Sequence, residues 1–341
     1  MTIKKSVLLV NLGSPERPDT GSIRKYLKTF LSDPRVMDMP SIIRWLLLHI
    51  LILPFRPGAI REKYARIWNE DGFLLINNSK KLVEALSVAL GEEYLVEIAM
   101  RYSTPSIKSA LQRIVKSGGS DLLVIPLFPQ YASATTGSIL EYFFDAIKAW
   151  TVFPRITVLP QFHSHPGFIH AWAEGAKEYL QEKPDHILFS FHGLPEKHIL
   201  KADPSGSKCL HSQQCCDKLH SENHHCYRAQ CFQTARNIAD AAGINEKDYS
   251  VAFQSRLGKA KWIEPYTSAV IAKLGSTGVQ NLLVLCPSFV ADCLETVEEI
   301  GVEEKERFLL SGGRMLTLVP SLNAEGVWVD ALVDMIRQNL M

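Results

Sequence analysis

Residues 121–130 read DLLVIPLFPQ, and residues 281–289 read NLLVLCPSF. Both are short apolar runs interrupted by proline, with no alternation of polar and apolar positions. A strand that is apolar on both faces is one covered by helices on both sides, as in a parallel sheet. Further runs of this kind lie at 7–12 (VLLVNL), 94–100 and 156–159, and again at 187–191, 250–253 and 315–319. Stretches of helical period separate them at 79–90, 106–116, 167–180 and 324–338. TVLPQF at 157–162 also parallels TLVPSL at 317–322, and each leads into a helix bearing a tryptophan. The alternation predicts an α/β chain of two Rossmann-like lobes, with parallel sheets flanked by helices. The lobes are expected at 1–180 and 186–341, joined near QEKPD at 181–185.

Composition fits that plan. A chain of 341 residues is too long for one ordinary core and comfortable for two. Hydrophobic content of 46% and charged content of 21% are those of a globular protein rather than a disordered or fibrous one. Lys and Arg number 37 against 36 Asp and Glu, a formal net charge of +1, so no general attraction for nucleic acid is expected. The opening residues read as a strand rather than a secretory signal, and a cytoplasmic location is expected.

Ligands of open parallel sheets bind beyond the carboxyl ends of the strands. Those ends carry NLGSP at 11–15, RYS at 101–103 and PQYASATTG at 129–137 in the first half. In the second they carry HGLP at 192–195, QSRLG at 254–258 and PSFVADCLE at 287–295. His192 and Glu295 would face one crevice from different strands. An imidazole holds a borderline metal or takes a proton near neutral pH, and a carboxylate completes either task. Each also has a purely structural explanation: a strand-end histidine satisfied by backbone, and a glutamate complementing a helix dipole. Asp292 precedes them, and Glu295, Glu298 and Glu299 share a face at helical spacing, a candidate carboxylate ladder. No Walker loop, Gly-x-Ser-x-Gly, His-Glu-x-x-His or dinucleotide fingerprint competes.

Six blocks together carry a more specific signal: VLLVNLGSPERP at 7–18, YARIW at 64–68, FPQYASATTGS at 128–138, SFHGLP at 190–195, FQSRLGKAKWIEPYT at 253–267 and CPSFVADCLETVEEIG at 286–301. In this order and over nearly the whole chain, the sequence resembles the ferrochelatases. The resemblance implies two lobes with a porphyrin cleft and insertion of ferrous iron into protoporphyrin IX, giving protohaem in the last step of its synthesis. It implies catalytic and metal-ligand roles for His192 and Glu295, with Glu299 as a relay or further ligand. Arg66, Arg101, Tyr102, Tyr131, Ser133 and Trp262 match or neighbour positions that contact the porphyrin in the family. Alternatives are a chelatase for coproporphyrin or another tetrapyrrole, and a haem or metal carrier without chemistry. Two departures stand out: FLL at 73–75 where the family usually has a Ser-Pro pair, and Cys293 where animal members have histidine.

Five of the seven cysteines (Cys209, Cys215, Cys216, Cys226 and Cys231) fall within 205–231, a segment that reads as an insertion, beside His211, His220, His224 and His225. Their spacing fits neither a zinc knuckle nor a plant-type ferredoxin. Some ferrochelatases hold a [2Fe–2S] cluster on four cysteines, which implies such a cluster here on four of the five. Zinc and unliganded thiols remain the alternatives. The stretch 42–55 (IIRWLLLHILILPF) is strongly apolar, broken by Arg44 and His49, and shorter than the roughly 20 residues that cross a bilayer. It is either a buried helix or an apolar lip beside the cleft, in peripheral contact with membrane. The sequence carries no sign of oligomeric state.

Overall fold

Val7, Leu8, Leu9 and Val10 are without solvent exposure, as the unbroken apolar run requires of a strand roofed on both faces. The computed structural model describes residues 5–212, 214–258 and 260–340. In chain order its strands are β1 (Lys5–Asn11), β2 (Trp68–Asn69), β3 (Gly72–Phe73), β4 (Tyr94–Met100), β5 (Asp121–Pro126), β6 (Arg155–Val158), β7 (His186–His192), β8 (Tyr249–Gln254), β9 (Asn281–Leu285) and β10 (Met315–Leu318). All eight apolar runs read from the sequence are strands. They form two four-stranded sheets, ordered β4-β1-β5-β6 and β10-β9-β7-β8, parallel throughout. Counted from the first strand of each, both orders are 2-1-3-4, so the two sheets share one topology. The strands β2 and β3 make a separate antiparallel hairpin.

Helices cover the sheets by the periodicity visible in the chain. The Ile107–Lys116 helix buries Ile107, Ala110, Leu111 and Ile114, spaced three and four apart. Ser106 caps it by accepting from the Ser109 amide. The structure divides into two compact units. One comprises Met1–Phe128, Ala132–Gln161 and Val329–Met341, the other Pro129–Tyr131 and Phe162–Trp328. The Pro166–Gln181 helix thus belongs to the second unit and most of the Gly326–Leu340 helix to the first, so the units do not follow the halves of the chain.

Two segments depart from expectation. Residues 41–59 are helical throughout, with a π-helical middle at Leu47–Ile52, so the helix is 19 residues long and runs past the apolar stretch at 42–55. That is about 29 Å at 1.5 Å per residue, long and apolar enough by length and composition to cross a membrane. Only 17% of it is buried, and Ile42, Trp45, Ile50, Leu51 and Phe55 are exposed, which removes the buried-helix reading. The second is Leu294–Glu304, a π-helix of 11 residues rather than an α-helix. Its i→i+5 bonding widens each turn.

Candidate functional site

In a sheet of order 2-1-3-4 the chain reverses its direction of growth between the first and third strands, and ligands bind at the carboxyl end of that junction. In the second sheet this is the end of β7 and β9, where His192 and Ser288 stand. The ring of His192 is half-buried. Its Nδ1 lies 2.6 Å from the Gly193 carbonyl, which only accepts, so Nδ1 carries the hydrogen. Nε2 is then the lone-pair nitrogen, fit to take a proton or a metal. Trp262 and Phe289 flank the ring, with centroids 6.3 and 6.2 Å away. The glycine that follows is required by space: a Cβ on Gly193 would sit 2.8 Å from the Gln254 carbonyl oxygen.

The carboxylates approach from the π-helix. Glu299 accepts from the Ser255 amide at 2.7 Å, the Ser255 hydroxyl at 2.5 Å and Gln254 Nε2 at 3.4 Å. Burial raises its pKa above the usual carboxylate range despite these donors, while the charge of His192 opposes the shift and that of Glu295 adds to it. Glu299 therefore lies within electrostatic reach of both His192 and Glu295. Glu295 is half-exposed, and its backbone carbonyl accepts from Gln254 Nε2 at 2.6 Å. Burial raises the pKa of the neighbouring Cys293 thiol, and the charge of Glu295 adds to the shift. The ladder is shorter than expected: Glu298 is fully buried, because the π-helix does not hold the α-helical face together. Asp292 is spent on structure, accepting from Thr296, the Ser321 amide and Asn323.

Of the expected porphyrin contacts, Trp262 lies beside His192, anchored by its Nε1 to the Leu257 carbonyl at 3.0 Å. Arg101 and Tyr102, in the first unit, both turn to Asp33, at 2.9 Å each, and Ser138 joins them. Arg101 also stacks on Tyr102 and Tyr142. Ser133 accepts from Arg35 at 2.9 Å. Tyr131 is half-buried, with its amide donating to Gln230 Oε1 at 2.8 Å, and Arg66 is exposed. The sequence did not single out Gln254, Ser255, Tyr227 or Ser288. Their position at strand ends was the available signal for all but Tyr227.

The cysteine-rich segment is held by buried polar anchors. Asp203 accepts from the amides of Ser205, Lys208 and Cys209, and Asn223 donates to the carbonyls of Cys215 and Lys218. The Sγ atoms of Cys215 and Cys216 are 3.5 Å apart. Burial raises the pKa values of Cys209 and Cys215, and the neighbouring Cys226 thiol together with burial raises that of Cys216. Among the described residues, however, no group of three or more His, Cys, Asp or Glu side chains is arranged to hold a metal ion. The expected [2Fe–2S] site is therefore not supported by the arrangement of these thiols, which stay neutral.

A model of the family described as Ferrochelatase matches residues 4–340. The chain belongs to the ferrochelatase family. A ferrochelatase of Coxiella burnetii is 44% identical over 338 residues, covering 99% of this chain and 94% of its own length. One of Legionella pneumophila is 41% identical over 338 residues, covering 99% of this chain and all of its own. Among solved structures, SirB from Bacillus subtilis with Fe3+ superposes with a TM-score of 0.57 at 12% identity, covering 99% of this chain and 96% of that one. A sirohydrochlorin chelatase SirB in complex with cobalt gives a TM-score of 0.52 at 11% identity, covering 99% and 95%. At such identities these two speak for the fold alone. As a ferrochelatase, the protein is a lyase that inserts iron into a porphyrin, and the carrier reading falls away.

Proposed function

We propose that this ferrochelatase acts on protoporphyrin IX, with His192, Glu295 and Glu299 as its reacting groups. Insertion breaks two pyrrole N–H bonds, forms iron–nitrogen bonds and releases two protons. Nε2 of His192 takes one proton, and Glu299 takes the other, while Glu295 receives the ferrous ion beside them. The single observation that carries this is the hydrogen bond from Nδ1 to the Gly193 carbonyl, which leaves Nε2 as the basic nitrogen. Trp262 packs beside the ring.

Anaerobic metal insertion tests the reading, with protoporphyrin IX and coproporphyrin as parallel substrates. His192→Ala and Glu295→Ala should each lose at least a hundredfold in kcat with the fold intact, the scale of acid–base catalysis. Near-normal turnover in either variant removes that residue from the mechanism, and preferential turnover of coproporphyrin reassigns the substrate.

Two further readings belong with this proposal. The exposed apolar face of residues 41–59 supports peripheral attachment of a cytoplasmic protein to membrane. Ile50→Asp with Phe55→Asp should then abolish co-sedimentation with lipid vesicles, and retention in washed membranes until detergent is added would mean a deeper insertion. For the cysteine-rich segment the family resemblance favours a [2Fe–2S] cluster on four of Cys209, Cys215, Cys216, Cys226 and Cys231, although the thiols as they stand are not arranged to hold one. Iron and sulfide analysis of anaerobically purified protein tests it, and stoichiometric zinc or no metal at all rejects it.

A further inference from the structure

The strands that meet at His192 end at different heights. Phe189 pairs with Leu285, the last residue of β9, whereas β7 continues to His192. The Gly193 amide donates to the Gln254 carbonyl on the β8 side at 2.8 Å. By alternation along the strand, the N–H and C=O of His192 face the opposite side, past the end of β9. Backbone polar groups in such a place need partners. Two side chains supply them: the His192 amide donates to Ser288 Oγ at 3.0 Å, and its carbonyl accepts from the Tyr227 hydroxyl at 2.8 Å. Ser288 and Tyr227 thus clamp the His192 backbone between them.

Tyr227 ties this clamp to another part of the molecule: it is the first residue of the Tyr227–Ala242 helix, directly after Cys226 of the cysteine-rich segment.

We propose that Tyr227 is a positioning residue for metal insertion: with Ser288 it fixes the strand end that aims Nε2 of His192. This rests on the reading of His192 as the reacting imidazole. The phenol does not touch substrate. It acts on the rate by holding the backbone from which the imidazole projects, where a small misplacement costs much of the rate.

Steady-state anaerobic insertion by the full chain tests the proposal, with thermal melts run in parallel. Tyr227→Phe keeps the aromatic packing and removes only the hydroxyl. It should lower kcat at least tenfold while KM for both porphyrin and ferrous iron stays within twofold. Ser288→Ala should do the same without altering Tyr227, and serves if the phenylalanine variant does not fold. The double variant should be little worse than either single one, because both bonds hold the backbone of one residue. The proposal is overturned if kcat in Tyr227→Phe or in Ser288→Ala stays within twofold of wild type, or if the losses multiply in the double variant. His192→Ala is the control: full activity there would mean that the underlying site assignment has failed, independently of the clamp.

Discussion

Ser255 donates its amide to one carboxylate oxygen of Glu299 and its hydroxyl to the other, at 2.7 and 2.5 Å. Ser255 does so with φ of 66°, a left-handed conformation uncommon for a residue that carries a Cβ. The strand end is bent so that two donors from one residue meet one carboxylate. A hydrogen bond to a charged group contributes about 1.5–3 kcal/mol. Ser255→Ala should therefore lower kcat by about tenfold or more, and Ser255→Gly, which relieves the backbone while also lacking the hydroxyl, should not restore it. Recovery in the glycine variant would assign the effect to backbone strain, and insertion kinetics on the two variants distinguishes them.

Gly193→Ala should be damaging although the position has no positive φ. The added Cβ meets the Gln254 backbone oxygen at 2.8 Å, and a backbone atom in a parallel ladder has little freedom to retreat. We expect a stability loss on the order of 1–3 kcal/mol, as for other overpacked positions, and at least a tenfold lower kcat because His192 moves with its neighbour. Urea titration and the insertion assay measure the two effects, and an unchanged kcat would show that the strand end tolerates the shift.

His163 is 5% exposed, neither ring nitrogen has a protein partner, and burial lowers its pKa to about 4. The folded protein holds it neutral while the unfolded chain titrates it near 6.5. Its contribution to stability is therefore complete above pH 6.5 and lost as pH falls towards 4. At about 1.4 kcal/mol per unit the full loss is roughly 3 kcal/mol. His163→Phe should remove that slope, so denaturant midpoints of the wild type and variant should diverge between pH 7 and 4.5 in favour of the variant. Parallel midpoints across this range would contradict the assignment.

Asp33→Asn should destabilise the first unit. Burial alone would raise the Asp33 pKa, but bonds from Ser138, the Arg35 amide and Tyr102, with the charge of Arg101, outweigh it and leave it lowered. With Asp33 3% and Arg101 15% exposed, removing one charge leaves the other nearly buried, a cost of about 3–5 kcal/mol. A depressed carboxylate contributes above its unfolded pKa and loses that contribution as pH falls through its folded value. The gap between wild type and variant should thus be widest at neutral pH and close in acid. Chemical denaturation at neutral and acidic pH reads it, and a variant as stable as wild type at pH 7 would show that the pair contributes nothing net.

The strands were legible because a parallel strand must be apolar on both sides, and DLLVIP and NLLVL state that condition without help from the rest of the chain. His192 and Glu295 were legible as strand-end groups, and the resemblance named them. The wide turns of LETVEEIGVEE were not, since carboxylates three and four apart suit an α-helix equally well and only the fold sends Glu298 inward. The exposure of residues 41–59 was hidden for a related reason: composition gives the length of an apolar face but not what lies against it. Arg101 and Tyr102 look like ligand-binding residues in the sequence because Asp33, their partner, is 68 and 69 positions away. Tyr227 was invisible at that level, since its importance lies in a carbonyl 35 residues upstream that happens to outrun its neighbouring strand.

The greasy helix at 41–59 bears on how the substrate is found. A porphyrin is flat, sparingly soluble and at home among lipid tails, so its concentration in water says little about its supply. Resting on a bilayer through Ile42, Trp45, Ile50 and Phe55, the protein would search a sheet instead of a volume. Turnover would then scale with pigment per area of lipid, and adding empty vesicles at fixed pigment would slow the reaction by dilution.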